Sequence, residues 1–287
     1  MKLEHNVYGS DACLESLISS CPVLEDLSLV RMVTDHLKVV RVCSQTLTRF
    51  NVDYMFGEDD DYVDDYEKQG SGVFVDAPRL EYVKWQDDMS ESKVLTNPAS
   101  LAKVNLVYVF NESDVADVVD LPRRNMVRNF FTSISRVSDM KISGSTVEFF
   151  CYNVEHDPWP KFRNLSCLKV TFTLLTLDMM TKLLKSFPNL KHLILVLDFD
   201  HPSEDNELIR LSSVPRCLVS SLECVEIKYF SGGPAKMEVA RYFVENSAFL
   251  KKLVLHFRCS MLQEGFNILM DLLALPRRSS QCRIIVC

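Results

Sequence analysis

The sequence lacks several features that would assign it to a fibrous, membrane or secreted class. Glycine accounts for only eight of the 287 residues, which excludes collagen-like and linker-like chains. There is no run of about 18 apolar residues, so no membrane-spanning helix is predicted. The stretch from Met1 to Ser10 contains no apolar core of the kind that a signal peptide needs. We therefore expect an intracellular protein, cytoplasmic or nuclear, that does not bind a membrane.

The ten cysteines do not form a metal-binding or disulfide pattern. They are scattered along the chain, and no two of them have the C-x-x-C spacing by which one turn presents two sulfurs to a zinc ion. Cys167 and Cys224 lie within apolar, strand-like segments, where a thiol is expected to pack as a small hydrophobic group. We predict reduced, structural cysteines.

The negative charge of the chain is concentrated in one segment. Residues 51–70 hold eight acidic residues and one base, which equals the net charge of −7 of the whole chain. The remainder is neutral overall and gives no basic patch for nucleic acid or for an anionic membrane. No nucleic-acid partner is therefore predicted.

The acidic segment, an insertion at residues 57–72, allows three interpretations. It is a cation site, a solvated insertion, or a binding handle for a basic partner that uses the aromatic residues Tyr54, Phe56, Tyr62 and Tyr66. Asp59-Asp60-Asp61 lacks the alternating oxygen ligands of a calcium loop. The solvated insertion is the favoured interpretation.

The most informative pattern is an internal repeat. The cluster Leu24-x-x-Leu27-x-Leu29 recurs with conservative replacements at intervals of 21 to 36 residues. Eight further copies begin at Leu47, Leu80, Leu101, Val137, Leu165, Leu190, Leu222 and Leu250. Apolar residues recur at every second position in the last part of each copy, as a strand with one buried face requires. Because one such strand cannot cover its own apolar face, successive copies are expected to stack as a parallel sheet.

The fold class that this repeat predicts is an α/β leucine-rich-repeat solenoid, with one parallel strand per repeat and helices on the convex side. Amphipathic patterns predict helices at residues 11–20, 128–135, 176–186, 236–246 and 261–275. Asp11 is expected to cap the first helix, and Thr176 or Asp178 the third.

The predicted domains are irregular repeats over residues 1–211 and a C-terminal region over 212–287. This second region is expected to be a strand-helix-strand unit that continues the solenoid, and residues 283–286 are expected to form its last strand. We expect the isolated chain to have low stability, because a solenoid that starts within its repeats exposes an apolar end.

No catalytic motif is present, and no enzyme activity is predicted. The glycine-rich phosphate-binding patterns are absent, and Gly70-Ser71-Gly72 is interpreted as a loop. Neither His192 nor His256 has a nearby Ser or Cys in a triad-like motif, so nucleophilic catalysis has no support.

Two further groups of polar residues are weak candidates for ligand binding. Asp198, Asp200 and His201 follow a predicted strand and have side chains that bind metals, but their acidic loop is better interpreted as solvated surface. Arg277 and Arg278 carry positive charge, yet two adjacent bases are weaker than a typical phosphate site. We predict no metal and no cofactor.

The variable positions of the repeat clusters are the candidate partner-binding residues. The curvature of a solenoid makes the concave face of its sheet an extended interaction surface. The positions expected on this face are Glu25, Asp26, Ser28, Thr48, Arg49, Asn51, Glu81, Tyr82, Lys84, Lys191, His192, Glu223 and Cys224.

The repeats resemble those of plant F-box/LRR proteins. Residues 21–27, Cys-Pro-Val-Leu-Glu-Asp-Leu, are similar to the family's "CP.LE.L" signature, and residues 75–82 are similar to its "DAP.L.YL" repeat. The C-terminal region resembles the FBD domain of the same proteins. The matching residues there are Pro215, Cys217, Leu218, Leu222, Val225, Ile227, Gly232, Gly233, Glu238, Tyr242, Phe243, Asn246, Ala248, Leu250, Lys251, Leu253 and the ending at 276–284.

The resemblance implies a function in protein recognition. Family members dock through an N-terminal F-box onto a Skp-type adaptor of a cullin ubiquitin ligase, and their repeats are thought to present substrates. No F-box precedes the repeats here, so adaptor binding is expected only if an F-box is supplied elsewhere. The leading hypothesis is therefore a module that binds an unknown protein substrate. The alternatives are a repeat protein that binds a small molecule and a truncated, non-functional relative.

Overall fold

Each of the nine repeat clusters contains one β-strand in the structure, which is a computed structural model. The structure describes residues 1–32, 34–55, 70–87, 89–110, 121–154, 160–199, 211, 213–257 and 262–287. The chain divides into unit 1, formed by Met1–Val137 and Tyr152–Pro160, and unit 2, formed by Ser138–Cys151 and Lys161–Cys287.

Unit 1 contains the first four repeat strands. The strands that the structure describes there are β1 (Lys2–Glu4), β2 (Asp26–Met32), β3 (Val39–Cys43), β4 (Arg49–Met55), β5 (Gly72–Asp76), β6 (Tyr82–Gln86), β7 (Ser92–Thr96) and β8 (Lys103–Leu106). Strands β1, β2, β4, β6 and β8 pair in parallel in that order. The register aligns equivalent repeat positions, because Leu27 pairs with Phe50, Phe50 with Val83 and Val83 with Val104. These four side chains are buried and form one apolar ladder.

The segments between these strands differ from the prediction of helices on the convex side. Strands β3, β5 and β7 form a second parallel sheet, so three repeats of unit 1 have two strands each. The reason lies in segments such as 39–43, Val-Val-Arg-Val-Cys, whose β-branched residues alternate at period two. Helix α1 (Asp11–Ser19) contacts β3, and helix α2 (Leu121–Ser133) contacts β7.

The start of α1 also differs from the prediction. Ser10 occupies the N-cap position, and Asp11 is the first helical residue. The Asp11 carboxylate accepts hydrogen bonds from the backbone N–H groups of Lys38, at 2.9 Å, and Val39, at 3.0 Å. Asp11 therefore ties the helix to the first residue of β3 instead of capping its own helix.

Unit 2 has one parallel sheet whose strands follow chain order. They are β9 (Asp139–Ile142), β10 (Cys167–Phe172), β11 (His192–Leu197), β12 (Cys224–Phe230), β13 (Lys252–Phe257) and β14 (Arg283–Val286). Its helical elements are α3 (Gly144–Val154, of which residues 144–151 belong to unit 2), a 3-10 turn (Leu177–Met179), α4 (Met180–Leu184), α5 (Arg216–Ser220), α6 (Pro234–Asn246) and α7 (Leu262–Ala274). The strand predicted at 283–286 and the helices predicted at 236–246 and 261–275 are confirmed to within two residues.

The core of unit 2 is built from the apolar positions of the repeats. Pairing places Met140, Leu168, Leu193, Val225, Leu253 and Ile284 in one row across the six strands. The leading leucines of four clusters, such as Leu190 and Leu222, are fully buried. Burying one such side chain contributes roughly 1.5–3 kcal/mol. Because successive side chains of a strand point to opposite sides of the sheet, the residues between these buried positions lie in fixed register on the other side.

The C-terminal part contains the expected strand-helix-strand arrangement in β12, α6 and β13. The boundary between residues 211 and 212 stays a prediction. Among the described residues, no helix has the length and apolarity that crossing a bilayer requires.

Candidate partner-binding face

The side of the unit 2 sheet that faces solvent is the candidate site. In the first four residues of each strand from β9 to β13, every second residue is buried and the residues between are partly or fully exposed. We call this surface the unit 2 face. Its members are Asp139, Lys141, Cys167, Lys169, Thr171, His192, Ile194, Val196, Cys224, Glu226, Lys228, Lys252, Val254, His256, Arg283 and Ile285.

The parallel register arranges these residues in rows across the strands. Cys167, His192, Cys224 and Lys252 are successive partners in one row. In the next row Ile194 and Val254 are the two neighbours of Glu226. Residues far apart in the chain therefore meet because they occupy equivalent positions of the repeat.

Four of these side chains form a connected group around Glu226. Its Oε1 lies 3.0 Å from Nε2 of His192, and its Oε2 lies 3.1 Å from Nζ of Lys228. Lys228 Nζ also lies 2.7 Å from Nε2 of His256. Nε2 of His256 in turn lies 3.4 Å from Oε2 of Glu226. We call these four residues (His192, Glu226, Lys228 and His256), together with Cys224, the strand partner of His192, the polar cluster.

The electrostatics of the polar cluster favour the ionised form of Glu226. Partial burial acts to raise the pKa of Glu226, but the hydrogen bond and charge of Lys228, together with His192, outweigh it and hold the pKa below its ordinary value. The pKa of Cys224 is raised, first by burial and then by the neighbouring Glu226. A protonated Cys224 is a weak nucleophile, so this pair of Cys and His does not resemble an activated catalytic dyad.

Aliphatic side chains surround the polar cluster. Ile194 and Val254 flank Glu226 in register, and Val196 pairs with Lys228. All three are partly exposed. Half-exposed aliphatic groups around a compact charged group have the composition of a protein interface, where apolar contacts give affinity and charges give specificity.

The corresponding face of unit 1 carries charged side chains that pair with each other. Lys84 Nζ lies 2.7 Å from Oδ2 of Asp53 on the neighbouring strand. The Arg49 guanidinium lies 5.5 Å from the ring centre of Tyr82 and 3.9 Å from Asp26. The exposed contact of Arg49 with Asp26 contributes only about 0–1 kcal/mol to stability, whereas the pair of Lys84 and Asp53 is partly buried.

The thirteen repeat positions that the sequence nominated all lie in the described part of the chain, and none is buried. Residues such as Ser28, Asn51 and Lys84 lie in strands, whereas Glu25, Thr48 and Glu81 precede them. Their role in binding stays a prediction. The sequence reasoning missed Glu226 and Lys228, although they continue the alternation of Val225 and Ile227 and so carried a usable signal.

The cysteines on the unit 2 face correct one prediction. Cys167 and Cys224 were expected to pack as small hydrophobic groups, whereas the repeat pattern also predicted Cys224 on the exposed face; both are partly exposed, because they occupy variable positions of the repeat cluster. The buried cysteines among the described residues are Cys217 and Cys282.

Other nominated residues give no second site. Asp198 is exposed after β11, whereas Asp200 and His201 lie outside the described residues, as does nearly all of the insertion at 57–72, including Tyr62 and Tyr66. Phe56 also lies outside them, and Gly72 begins β5. Arg277 donates to the carbonyl of Cys282 at 3.0 Å within one turn, and Arg278 donates to the carbonyl of Asn246, the last residue of α6, at 3.3 Å.

An open cleft of about 560 Å³ lies between α6 and α7. It lies away from the unit 2 face, and its lining includes the charged side chains of Arg241, Glu245 and Asp271. This position gives no support to a small-molecule site on the face of the repeats.

Two family models match the sequence. The model of the LRR repeats of the FBD-associated F-box protein At5g56370 matches residues 2–104, and the FBD model matches residues 210–255. The second match contains β12, the site of Glu226 and Lys228.

Curated proteins of Arabidopsis thaliana are similar over nearly the whole chain. The FBD-associated F-box protein At5g22730 is 64% identical over 100% of this chain and 61% of its own length. The FBD-associated F-box protein At5g44490 is 45% identical over 99% of this chain and 58% of its own. The F-box/FBD/LRR-repeat protein At5g22660 is 40% identical over 100% of this chain and 63% of its own. The chain thus spans about three fifths of the length of these relatives, and no solved structure matches it significantly.

Proposed function

Because this chain is an FBD/LRR protein related to the FBD-associated F-box proteins of Arabidopsis, we propose that it is a protein-interaction module, equivalent to the substrate-recognition part of an F-box/LRR/FBD ubiquitin-ligase adaptor. The relatives carry the F-box in their names, and an adaptor of this kind recognises a protein instead of transforming it. The proposal therefore includes no catalytic activity for the chain.

The parallel pairing within each unit supports the further proposal that the repeats form a solenoid. Equivalent apolar residues meet in register from strand to strand, as in a stack of identical turns. The two matched regions, 2–104 and 210–255, support the proposed division into repeats over 1–211 and an FBD-like region over 212–287.

The single observation that carries the proposed binding function is the composition of the unit 2 face. Ile194, Val196 and Val254 expose aliphatic surface around the charged pair Glu226–Lys228. A protein partner that buries this surface gains apolar contacts from the surrounding aliphatic groups and charge complementarity from the central pair. We propose that the partner presents an apolar side chain next to a polar or charged group.

The link to a ubiquitin ligase is part of the same proposal. Since the chain corresponds to about three fifths of its relatives, recruitment of a Skp-type adaptor is proposed only for a form that carries an F-box. A pull-down of this 287-residue chain with such an adaptor is expected to be blank. The proposed location is the cytoplasm or the nucleus, where cullin ligases act.

Position-specific photo-cross-linking in plant cells tests where the partner binds. Benzoylphenylalanine at Ile194 places the probe on the unit 2 face, and the same probe at Leu175, which is 85% exposed in a turn of unit 2, serves as the control. The proposal predicts a discrete protein adduct at Ile194 that is absent at Leu175. Equal adducts at both positions, or an adduct at Leu175 alone, would contradict it.

A further inference from the structure

Three side chains of the unit 2 face bring different metal-binding atoms to one point. A ring nitrogen of His192, Sγ of Cys224 and a carboxylate oxygen of Glu226 all lie within 4.8 Å of one another. All three residues are partly buried. They come from two neighbouring strands whose register makes His192 the direct partner of Cys224.

We propose that His192, Cys224 and Glu226 form a binding site for Zn²⁺. A borderline-soft cation accepts imidazole nitrogen, thiolate sulfur and carboxylate oxygen together, whereas Mg²⁺ and Ca²⁺ prefer oxygen alone. Three protein ligands leave the fourth tetrahedral position for water or for a side chain of a partner. This site goes beyond the proposed binding function and requires no partner to form.

The three donor atoms lie close enough for small side-chain movements to bring them to the spacing of a tetrahedral site. Zinc–ligand bonds of about 2.0–2.3 Å place donor atoms about 3.3–3.8 Å apart. His192 Nε2 and Glu226 Oε1 are already 3.0 Å apart, so the metal takes the place of a hydrogen bond between them. The thiol of Cys224 needs only a side-chain rotation, because the backbone positions are held by the sheet.

Proton balance defines what binding must release. His192 binds through Nε2 as a neutral imidazole and Glu226 as a carboxylate, while Cys224 loses its thiol proton to solvent. Zinc binding therefore releases a proton from the thiol, and the measured heat of binding is expected to depend on the ionisation enthalpy of the buffer.

Lys228 competes with the metal for Glu226. Its ammonium lies 3.1 Å from Oε2 of Glu226 and supplies the positive charge that the carboxylate needs in the absence of zinc. A divalent cation at the site repels this ammonium, so zinc must displace Lys228 toward solvent. Removing the Lys228 charge is therefore expected to strengthen zinc binding. If Glu226 formed only a structural ion pair with Lys228, the same substitution would not increase the affinity for zinc.

Metal titration of the purified full chain tests the site. Co²⁺ is added to the reduced, metal-free protein, thiolate-to-cobalt charge transfer and tetrahedral d–d absorption are recorded, and Zn²⁺ is then used to displace the cobalt. Circular dichroism of each variant establishes that the fold is retained. We expect one Co²⁺ to bind with the absorption of a single thiolate and to be displaced by zinc.

Variants distinguish this site from adventitious binding. Cys224→Ser is expected to abolish the charge-transfer band, and Glu226→Gln to weaken zinc binding by about tenfold or more. The matched control is Cys167→Ser, which removes the cysteine on the other side of His192 in the same row and is expected to leave binding unchanged. Lys228→Gln is expected to tighten binding. Absence of thiolate-bound cobalt, or an equal loss in Cys167→Ser, would overturn the proposal while leaving the partner-binding function untouched.

Discussion

Nε2 of His192 lies 3.0 Å from Oε1 of Glu226, although 34 positions of the chain separate the two residues. The contact exists because both residues occupy variable positions of adjacent repeats and the strands pair in parallel register. The same register places Cys224 beside His192, and Glu226 in turn contacts Lys228. The polar cluster is thus a product of repeat stacking.

Glu226 gives a testable dependence of stability on pH. Its pKa in the folded protein is lower than its ordinary value of 4.5, so its ionised form adds stability above that value, and this stability is lost as the pH falls through the lower, folded-state pKa. In metal-free protein, Glu226→Gln is expected to reduce the free energy of unfolding at neutral pH by up to about 1 kcal/mol, since the pair is partly exposed. The difference should vanish in acid, as urea unfolding at several pH values will show.

Lys228 provides the control for that measurement. Lys228→Met removes the hydrogen bond and charge that oppose the effect of burial on the pKa of Glu226. In this background, Glu226→Gln is expected to lose most of its effect at neutral pH. If Glu226→Gln lowers the free energy of unfolding by the same amount in this background, Lys228 is not the main source of the stabilisation.

A buried ion pair in unit 1 predicts a larger effect. The Arg31 guanidinium contacts the Asp35 carboxylate at 3.0 Å and donates to the carbonyl of Leu37 at 2.6 Å, and Arg31 and Asp35 are only 4% and 2% exposed. Asp35→Ala leaves a buried charge without its carboxylate and is expected to cost about 3–5 kcal/mol.

The control for the Arg31–Asp35 pair is an exposed pair in the same unit. Asp26→Ala removes a carboxylate 3.9 Å from Arg49 and is expected to cost less than about 1 kcal/mol. Thermal or urea unfolding of both variants measures the two losses. Similar losses in the two variants would contradict the account of Arg31 as a core residue.

Replacing Gly232, which lies in the turn that leads to α6, is expected to destabilise the protein. Its φ of +75° is unfavourable for other residues, and a Cβ there would lie 2.1 Å from Cδ1 and 2.6 Å from Cγ1 of Ile268 on α7. Gly232→Ala is therefore expected to lower the free energy of unfolding by about 1–3 kcal/mol. In Gly144→Ala the nearest atom to the new Cβ is 3.7 Å away and α3 begins there, so this control should be neutral or stabilising. Urea unfolding distinguishes the two outcomes.

Cys217 is expected to resist alkylation in the folded protein. Burial raises the pKa of its thiol to about 12, and its side chain is inaccessible to solvent. Cys13, Cys43 and Cys287 are exposed and should react first with iodoacetamide at mildly alkaline pH. Peptide mass spectrometry over time should show Cys217 modified only after denaturant is added, and early labelling would show that the core of unit 2 opens readily.

The repeat strands were predictable because their apolar spacing leaves one buried side. Leu27, Phe50 and Val83 recur at equivalent positions, and parallel pairing in register buries all three. The second sheet of unit 1 was not predicted, since segments such as Val39–Cys43 are short and do not contain the leucine pattern by which the repeats were recognised.

The polar cluster was only partly predictable for a different reason. Its contacts depend on which strands are neighbours and on their exact pairing, including the irregularity between Ile227 and Phe230 that accompanies the approach of Lys228 to His256. The alternation of buried and exposed residues along one strand predicts which side chains lie on the unit 2 face. It does not give the distance from such a side chain to one in the next repeat.

The most direct test of the proposed function is the dissociation constant between the full chain and the protein that is cross-linked at Ile194, measured with purified components. Ile194→Glu places a charge among the aliphatic groups beside Glu226 and is expected to raise the Kd by about tenfold or more. Leu175→Glu, on an exposed turn of the same unit, should leave the Kd unchanged. If Leu175→Glu weakens binding and Ile194→Glu does not, the unit 2 face is not the surface that holds the partner.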